Sequence, residues 1–139
     1  MRIPIPAIIV PLIGLLLYLL VPGVRDQPWT ILRIAGVILA ITGYVLFVTA
    51  RLQLGKSFSV SPQAKELVTH GLYSRIRNPI YISGEIFLAG LVLILWRLDL
   101  LIILLVIAPV QIIRARREAA VLEAKFGDAY REYRKRTWF

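Results

Sequence analysis

The chain contains no cysteine and only one histidine among its 139 residues. The lack of cysteine excludes disulfide bonds, thiolate metal sites and cysteine nucleophiles. With His70 as the single histidine, a multi-histidine metal site is impossible, and we predict that the chemistry uses no metal ion. Charged residues are also scarce, at 18% of the chain, whereas they make up about a quarter of ordinary soluble domains.

The residues that are abundant are hydrophobic. They make up 58% of the chain, and the mean hydropathy is +0.75. A chain of this length has room for one domain, and its apolar residues occur in long runs that are typical of integral membrane proteins. The formal charge of +9 would suit nucleic acid in a soluble protein. In a membrane protein it instead indicates cytoplasmic loops and attraction to anionic lipid head groups, and we predict no nucleic-acid partner.

The runs predict an all-α integral membrane protein with four transmembrane helices in a single domain, residues 1–139. Residues 3–21 resemble a signal peptide, but they are long enough to span and lack a cleavage site, so we interpret them as a retained helix. Arg97 and Asp99 divide the last apolar run into two helices. A stripe formed by Gly36, Ala40 and Gly43 predicts close helix packing. The predicted spans are residues 3–21, 30–50, 79–96 and 98–118.

The distribution of lysine and arginine predicts the orientation. The loop at 51–78 and the tail at 119–139 are rich in cations, whereas the other two connections contain only Arg25 and Arg97. Both termini, the loop and the tail are therefore predicted to be cytoplasmic. We expect a bacterial or archaeal plasma membrane. The tail has the pattern of an interfacial, amphipathic helix lying on anionic lipid, with Trp138 and Phe139 at the same interface.

Residues 71–81 form the one polar stretch that membrane insertion does not explain. Asn78 is predicted to cap a helix that has Pro79 at its first position. The free N–H groups of such a helix end suit a carboxylate or a phosphate. An ordinary polybasic loop that binds lipid head groups would have a similar composition, so the residue pattern alone leaves both interpretations open.

Two motifs resemble a known family, the membrane-embedded isoprenylcysteine carboxyl methyltransferases and phospholipid methyltransferases. The first motif is Gly71-x-Tyr73-x-x-x-Arg77-Asn78-Pro79-x-Tyr81. The second is Arg114-x-x-x-Glu118-x-x-x-Leu122-x-x-x-Phe126-Gly127-x-x-Tyr130-x-x-Tyr133. The match covers about the C-terminal half of the chain. It departs from the family pattern at Ala119, where the family has a second glutamate.

The resemblance implies a site for S-adenosylmethionine at the cytoplasmic face, with S-adenosylhomocysteine as the product. Glu118 would contact the ribose hydroxyls, and Asn78 stands where many eukaryotic members have histidine. His70 borders the motif, although a loop histidine of this kind is more often structural. The residues predicted to bind the cofactor are His70, Gly71, Tyr73, Arg77, Asn78, Pro79, Tyr81 and Glu118.

Arg114, Glu118 and Glu85 are the candidate catalytic residues. Arg114 could orient a substrate carboxylate or simply extend to the interface. Glu85 lies inside a predicted span, where a carboxylate is a functional candidate; it could bind a cation or pair with Arg114 or Arg33. We predict methyl transfer to a lipophilic small molecule or lipid. The alternatives are a four-helix multidrug-type transporter that uses Glu85 and a non-enzymatic protein that binds anionic lipid.

Overall fold

A computed structural model describes Gly14, residues 25–55 and residues 66–139. The predicted helix at 3–21 lies outside these residues apart from Gly14, and so does the middle of the predicted cytoplasmic loop, residues 56–65. In the described part every regular element is helical, which confirms the predicted all-α class. The elements are α1 (Ile31–Leu54), a short 3-10 helix (Gly71–Ser74), α2 (Pro79–Leu95), a second 3-10 turn (Leu98–Leu100), α3 (Leu101–Phe126) and α4 (Asp128–Arg136).

Helix α1 begins after Thr30, whose hydroxyl accepts a hydrogen bond from the backbone N–H of Arg33 at 3.3 Å. A threonine in this position satisfies one of the free donors at a helix start. The helix extends to Leu54, past the predicted end at residue 50. Arg51 lies in the last turn, where a positive charge interacts favourably with the carbonyl end of the helix dipole.

Helices α1 and α2 pack through backbone contact. Gly36, Ala40 and Gly43 are buried on α1, and Gly90 is buried on α2. A Cβ atom added to Gly36 would lie 2.7 Å from the Cβ of Leu93, and one added to Gly43 or Gly90 would overlap the backbone of the opposite helix. The predicted small-residue stripe is therefore confirmed as a packing surface.

The predicted break near Arg97 and Asp99 separates α2 from α3. Trp96 ends α2 in a left-handed conformation, with φ of 54°, and its N–H bonds back to the last turn. Arg97 then forms a two-pronged ion pair with Asp99, with Nη2 2.6 Å from Oδ2. Both side chains are exposed, so the pair marks a surface connection.

Helix α3 does not stop at residue 118 but continues to Phe126, with Pro109 inside it. Gly127 ends it in a conformation with φ of 54°, which favours glycine, and α4 begins at the next residue, Asp128. The tail is therefore the end of α3, a separate short helix and an extended segment. Of the described helices, α1 and Leu98–Phe126 are long and apolar enough to cross a membrane, whereas α2 has 17 residues.

Candidate functional site

The first motif begins as a loop fastened to the end of α1. Gly71 has φ of +60°, and a side chain there would overlap the amide of Gln53. The Oε1 atom of Gln53 accepts a hydrogen bond from the N–H of Leu72 at 2.8 Å. The positive φ therefore favours glycine at this position, and a larger residue would also have to displace the Gln53 amide that makes this bond. His70 precedes this turn with an exposed side chain that makes no capping bond.

The motif continues into the first turn of α2. Pro79 is buried at its first position, and the carbonyl of Asn78 accepts from the N–H of Tyr81 at 3.1 Å. Asn78 occupies the cap position, but its side chain makes no capping hydrogen bond. The predicted helix start, with Asn78 as the N-cap residue and Pro79 at the first position, is nevertheless confirmed. The half-buried amide of Asn78 is left available for another contact.

Tyr81 joins the two motifs. Its hydroxyl donates to Oε1 of Glu118 at 2.6 Å, across 37 residues of sequence. The guanidinium carbon of Arg114, one turn before Glu118, lies 5.8 Å from the centre of the Tyr81 ring, a cation–π distance. A tyrosine, a carboxylate and an arginine thus meet where the start of α2 faces the later part of α3. A hydrogen bond to an ionised carboxylate is among the stronger ones in proteins.

A second group of side chains consists of three buried tyrosines, one from the motif loop and two from α4. Tyr73, Tyr130 and Tyr133 are 6%, 2% and 4% exposed, and the rings of Tyr130 and Tyr133 are 6.1 Å apart. Burial, together with Tyr130 and against the positive charge of Arg77, raises the pKa of Tyr133 to about 12. Burial, followed by Tyr133 and Glu118, raises the pKa of Tyr73 well above its ordinary value, while Arg51 opposes the shift. These phenols therefore remain neutral hydrogen-bonding groups at physiological pH.

Two buried polar atoms, one in this group and one on the neighbouring Arg77, have no hydrogen-bond partner among the described residues. They are Nε of Arg77 and the hydroxyl of Tyr133. Buried polar groups in folded proteins are almost always satisfied, so these two atoms make the cluster a candidate site for a ligand or an ordered water. Arg77 provides a donor, and the Tyr133 hydroxyl provides a donor and an acceptor.

Glu85 lies one turn beyond Tyr81 on α2 and is only half-buried. Its Oε1 atom is buried without a hydrogen-bond partner in the described part of the chain. The alternative in which Glu85 pairs with Arg33 is wrong. Arg33 lies in the first turn of α1. Its side chain donates to the carbonyl of Gln27 and stacks on Trp29.

These observations define a class, namely helical membrane proteins with a polar site at one end of the helix bundle. Residues 31–129 match the phospholipid methyltransferase family. The match covers more than half of the chain, and the chain belongs to this family. The resemblance found in the two motifs is thereby confirmed.

Relatives support the same assignment. Over 100 residues the chain is 35% identical to protein-S-isoprenylcysteine O-methyltransferase of Schizosaccharomyces pombe, covering 68% of this chain and 42% of that protein. The fold of the present chain is similar to the solved structure of a eukaryotic intramembrane Ras methyltransferase, isoprenylcysteine carboxyl methyltransferase. That similarity has a TM-score of 0.67 and 25% identity, and it covers 94% of this chain and 49% of the other. The chain thus spans less than half the length of these relatives.

The structure adds residues that the sequence pattern did not reveal. Gln53 fastens the loop, and the backbone of residues 138 and 139 pairs with residues 75–78. The position of Gln53 near the end of an apolar helix was a weak signal for its contact with the loop. No signal in the sequence indicated the pairing of residues 138 and 139 with the motif, since this pairing depends on backbone atoms alone.

Proposed function

We propose that this chain is a methyltransferase that uses S-adenosylmethionine and methylates a lipophilic acceptor at the cytoplasmic face of the membrane. The observation that carries the proposal is the hydrogen bond from Tyr81 to Glu118, which brings the two motifs into one site. Membership of the phospholipid methyltransferase family and the names of the two relatives support methyl transfer.

The residues present fit such a cofactor. Arg77 would hold a carboxylate, Glu118 would accept from ribose hydroxyls, and the Tyr133 hydroxyl would satisfy a further polar group. Tyr73, Asn78 and Tyr81 would border the same site, together with Gly71 and Pro79, which shape its backbone. When bound, the cofactor supplies a methyl group on a positively charged sulfur.

The protein's own part in this chemistry would be to hold donor and acceptor in line, because transfer from a sulfonium needs no covalent enzyme intermediate. Arg114, which lies over Tyr81, would orient an acceptor carboxylate. A carboxylate acceptor would need no base. An amine acceptor would have to lose a proton, and Glu118 or Glu85 would take it.

The acceptor is proposed to reach the site from the bilayer. Large apolar side chains cover the exposed surface of α3, among them Ile102, Leu105 and Val106, at 65%, 73% and 61% exposure. Such a surface suits contact with lipid tails. The lysine and arginine distribution supports a cytoplasmic site, and the direct pairing of the motif loop with the tail supports a common side for both.

Binding of S-adenosylhomocysteine tests the proposal. We expect the detergent-purified protein to bind it in isothermal titration calorimetry. Glu118→Ala should weaken binding by about ten- to a hundredfold, because hydrogen bonds to charged groups contribute about 1.5–3 kcal/mol. The matched control is Glu132→Ala on α4, which removes an exposed carboxylate paired with Lys135 and should leave the affinity unchanged.

Absence of binding by the wild-type protein would overturn the proposal. Retained affinity in Glu118→Ala would remove Glu118 from the site. The comparisons favour neither a transporter nor a purely lipid-binding protein. Attraction to anionic lipid remains a separate proposal for the tail, where Arg131 and Lys135 already form surface ion pairs with Glu123, Asp128 and Glu132.

A further inference from the structure

The end of the tail returns to the first motif and pairs with it as extended backbone. Ile76 and Trp138 form a parallel bridge. The N–H of Trp138 donates to the carbonyl of Arg75 at 3.0 Å, and the carbonyl of Trp138 accepts from the N–H of Arg77 at 3.1 Å. The carbonyl of Phe139 accepts from the N–H of Asn78 at 3.0 Å. Three backbone groups of the motif are thus held by two residues of the tail.

The tail is itself held in place for this contact. Helix α4 buries Tyr130 and Tyr133 almost completely. The hydroxyl of Thr137 donates to the carbonyl of Tyr133 at 2.9 Å, and Thr137 is already extended, with φ of −124° and ψ of 151°. The chain therefore leaves α4 directly into the bridge, from a helix that the two buried rings anchor.

The backbone pairing between the tail and the motif affects the proposed cofactor site, because it holds two residues of that site. Arg77 and Asn78 are both motif residues, and both donate their backbone N–H to the tail. The bridge fixes the backbone of both residues, and with it the position and direction from which the guanidinium of Arg77 and the amide of Asn78 extend. Gln53 holds the other end of the same loop through Leu72.

We propose that residues 137–139 are a positioning segment, which holds residues 75–78 in the conformation that binds the cofactor. The segment acts through its backbone; the Trp138 ring is 58% exposed and is not required. This inference rests on the proposed function, and it assigns to residues 137–139 a part in the site.

Two substitutions at one residue separate the backbone from the side chain. Trp138→Pro removes the N–H that donates to Arg75, and the extended Thr137 is compatible with a following proline. Trp138→Ala removes the exposed ring and keeps every backbone bond. We expect Trp138→Pro to weaken S-adenosylhomocysteine binding by about tenfold or more at unchanged stoichiometry, and Trp138→Ala to bind like wild type.

Amide hydrogen exchange of residues 75–78 gives an independent readout. Exchange at Arg77 and Asn78 should be slow in the wild-type protein and in Trp138→Ala, and fast in Trp138→Pro. If Trp138→Pro does not fold, a variant truncated after Thr137 lacks the same backbone partners. That variant then replaces Trp138→Pro in the binding and exchange measurements.

Each outcome decides the question. Fast exchange with wild-type affinity would overturn the inference, because the bridge would then be structural only. Slow exchange in Trp138→Pro, or weak binding by Trp138→Ala, would overturn it as well. If the wild-type protein does not bind S-adenosylhomocysteine, both the proposed function and this inference are wrong. If the wild-type protein binds it and Trp138→Pro binds it with equal affinity, only this inference is wrong.

Discussion

Two contact regions of this protein are built in opposite ways. Between α1 and α2, glycines bring the backbones together, and shape decides the contact. Where α2 meets α3, the contact is made by polar side chains, with Tyr81 donating to Glu118 beside Arg114. The first region therefore holds the frame, and under the proposed function the second bears the chemistry. Damage to the first should cost folding, and damage to the second should cost binding.

The largest effect is expected from Gly90→Ala in the α1–α2 contact. The added methyl group would overlap the backbone of Ala40 on the opposite helix. We expect a loss of about 3 kcal/mol, or failure to fold, because packed interfaces tolerate extra atoms poorly. Thermal unfolding in detergent measures it.

Gly84→Ala is the matched control, since it is on the same helix and an added Cβ there meets nothing within 4 Å. It should be neutral or slightly stabilising because alanine favours a helix more than glycine does. Equal stability of the two variants would refute the proposed role of Gly90.

An intermediate effect is expected at the polar contact. Tyr81→Phe and Glu118→Gln each disturb the 2.6 Å hydrogen bond, so their effects on S-adenosylhomocysteine affinity should not add. A double-mutant cycle should give a coupling of about 1–3 kcal/mol. Both variants should unfold close to the wild-type temperature, which separates this contact from the glycine contact. Additive losses would mean that the two side chains contribute independently.

The smallest effect is expected from alkaline pH. Burial raises the pKa of Tyr133 to about 12 and also raises that of Tyr73, so both phenols stay protonated in the folded protein beyond the pH at which free tyrosine ionises. Their contribution to stability is complete below about pH 10 and is lost as the pH rises toward 12. Absorbance of tyrosinate during a pH titration measures this.

Tyr133→Phe is the control for that titration, and it should remove one late-ionising phenol. A variant whose late phase equals that of the wild type would show that Tyr133 titrates normally.

Much of this arrangement could be predicted. The apolar runs predicted helices, the small-residue stripe predicted the packing face of α1, and the break at Arg97 and Asp99 was found where expected. The two motifs indicated the family. Helix ends were less predictable: α1 and α3 both extend beyond the expected residue, because arginine and glutamate are good helix formers and do not stop a helix.

The sequence alone determined the class of this protein, since the length of apolar runs and the spacing within motifs are local properties. Only the tertiary structure decided which polar groups meet. Tyr81 and Glu118 are 37 residues apart, and the bond between them depends on how α2 and α3 return to the same end of the bundle. The pairing of residue 138 with residue 76 is more remote still. This pairing uses backbone atoms that every residue possesses, so the side chains in the sequence could not predict it.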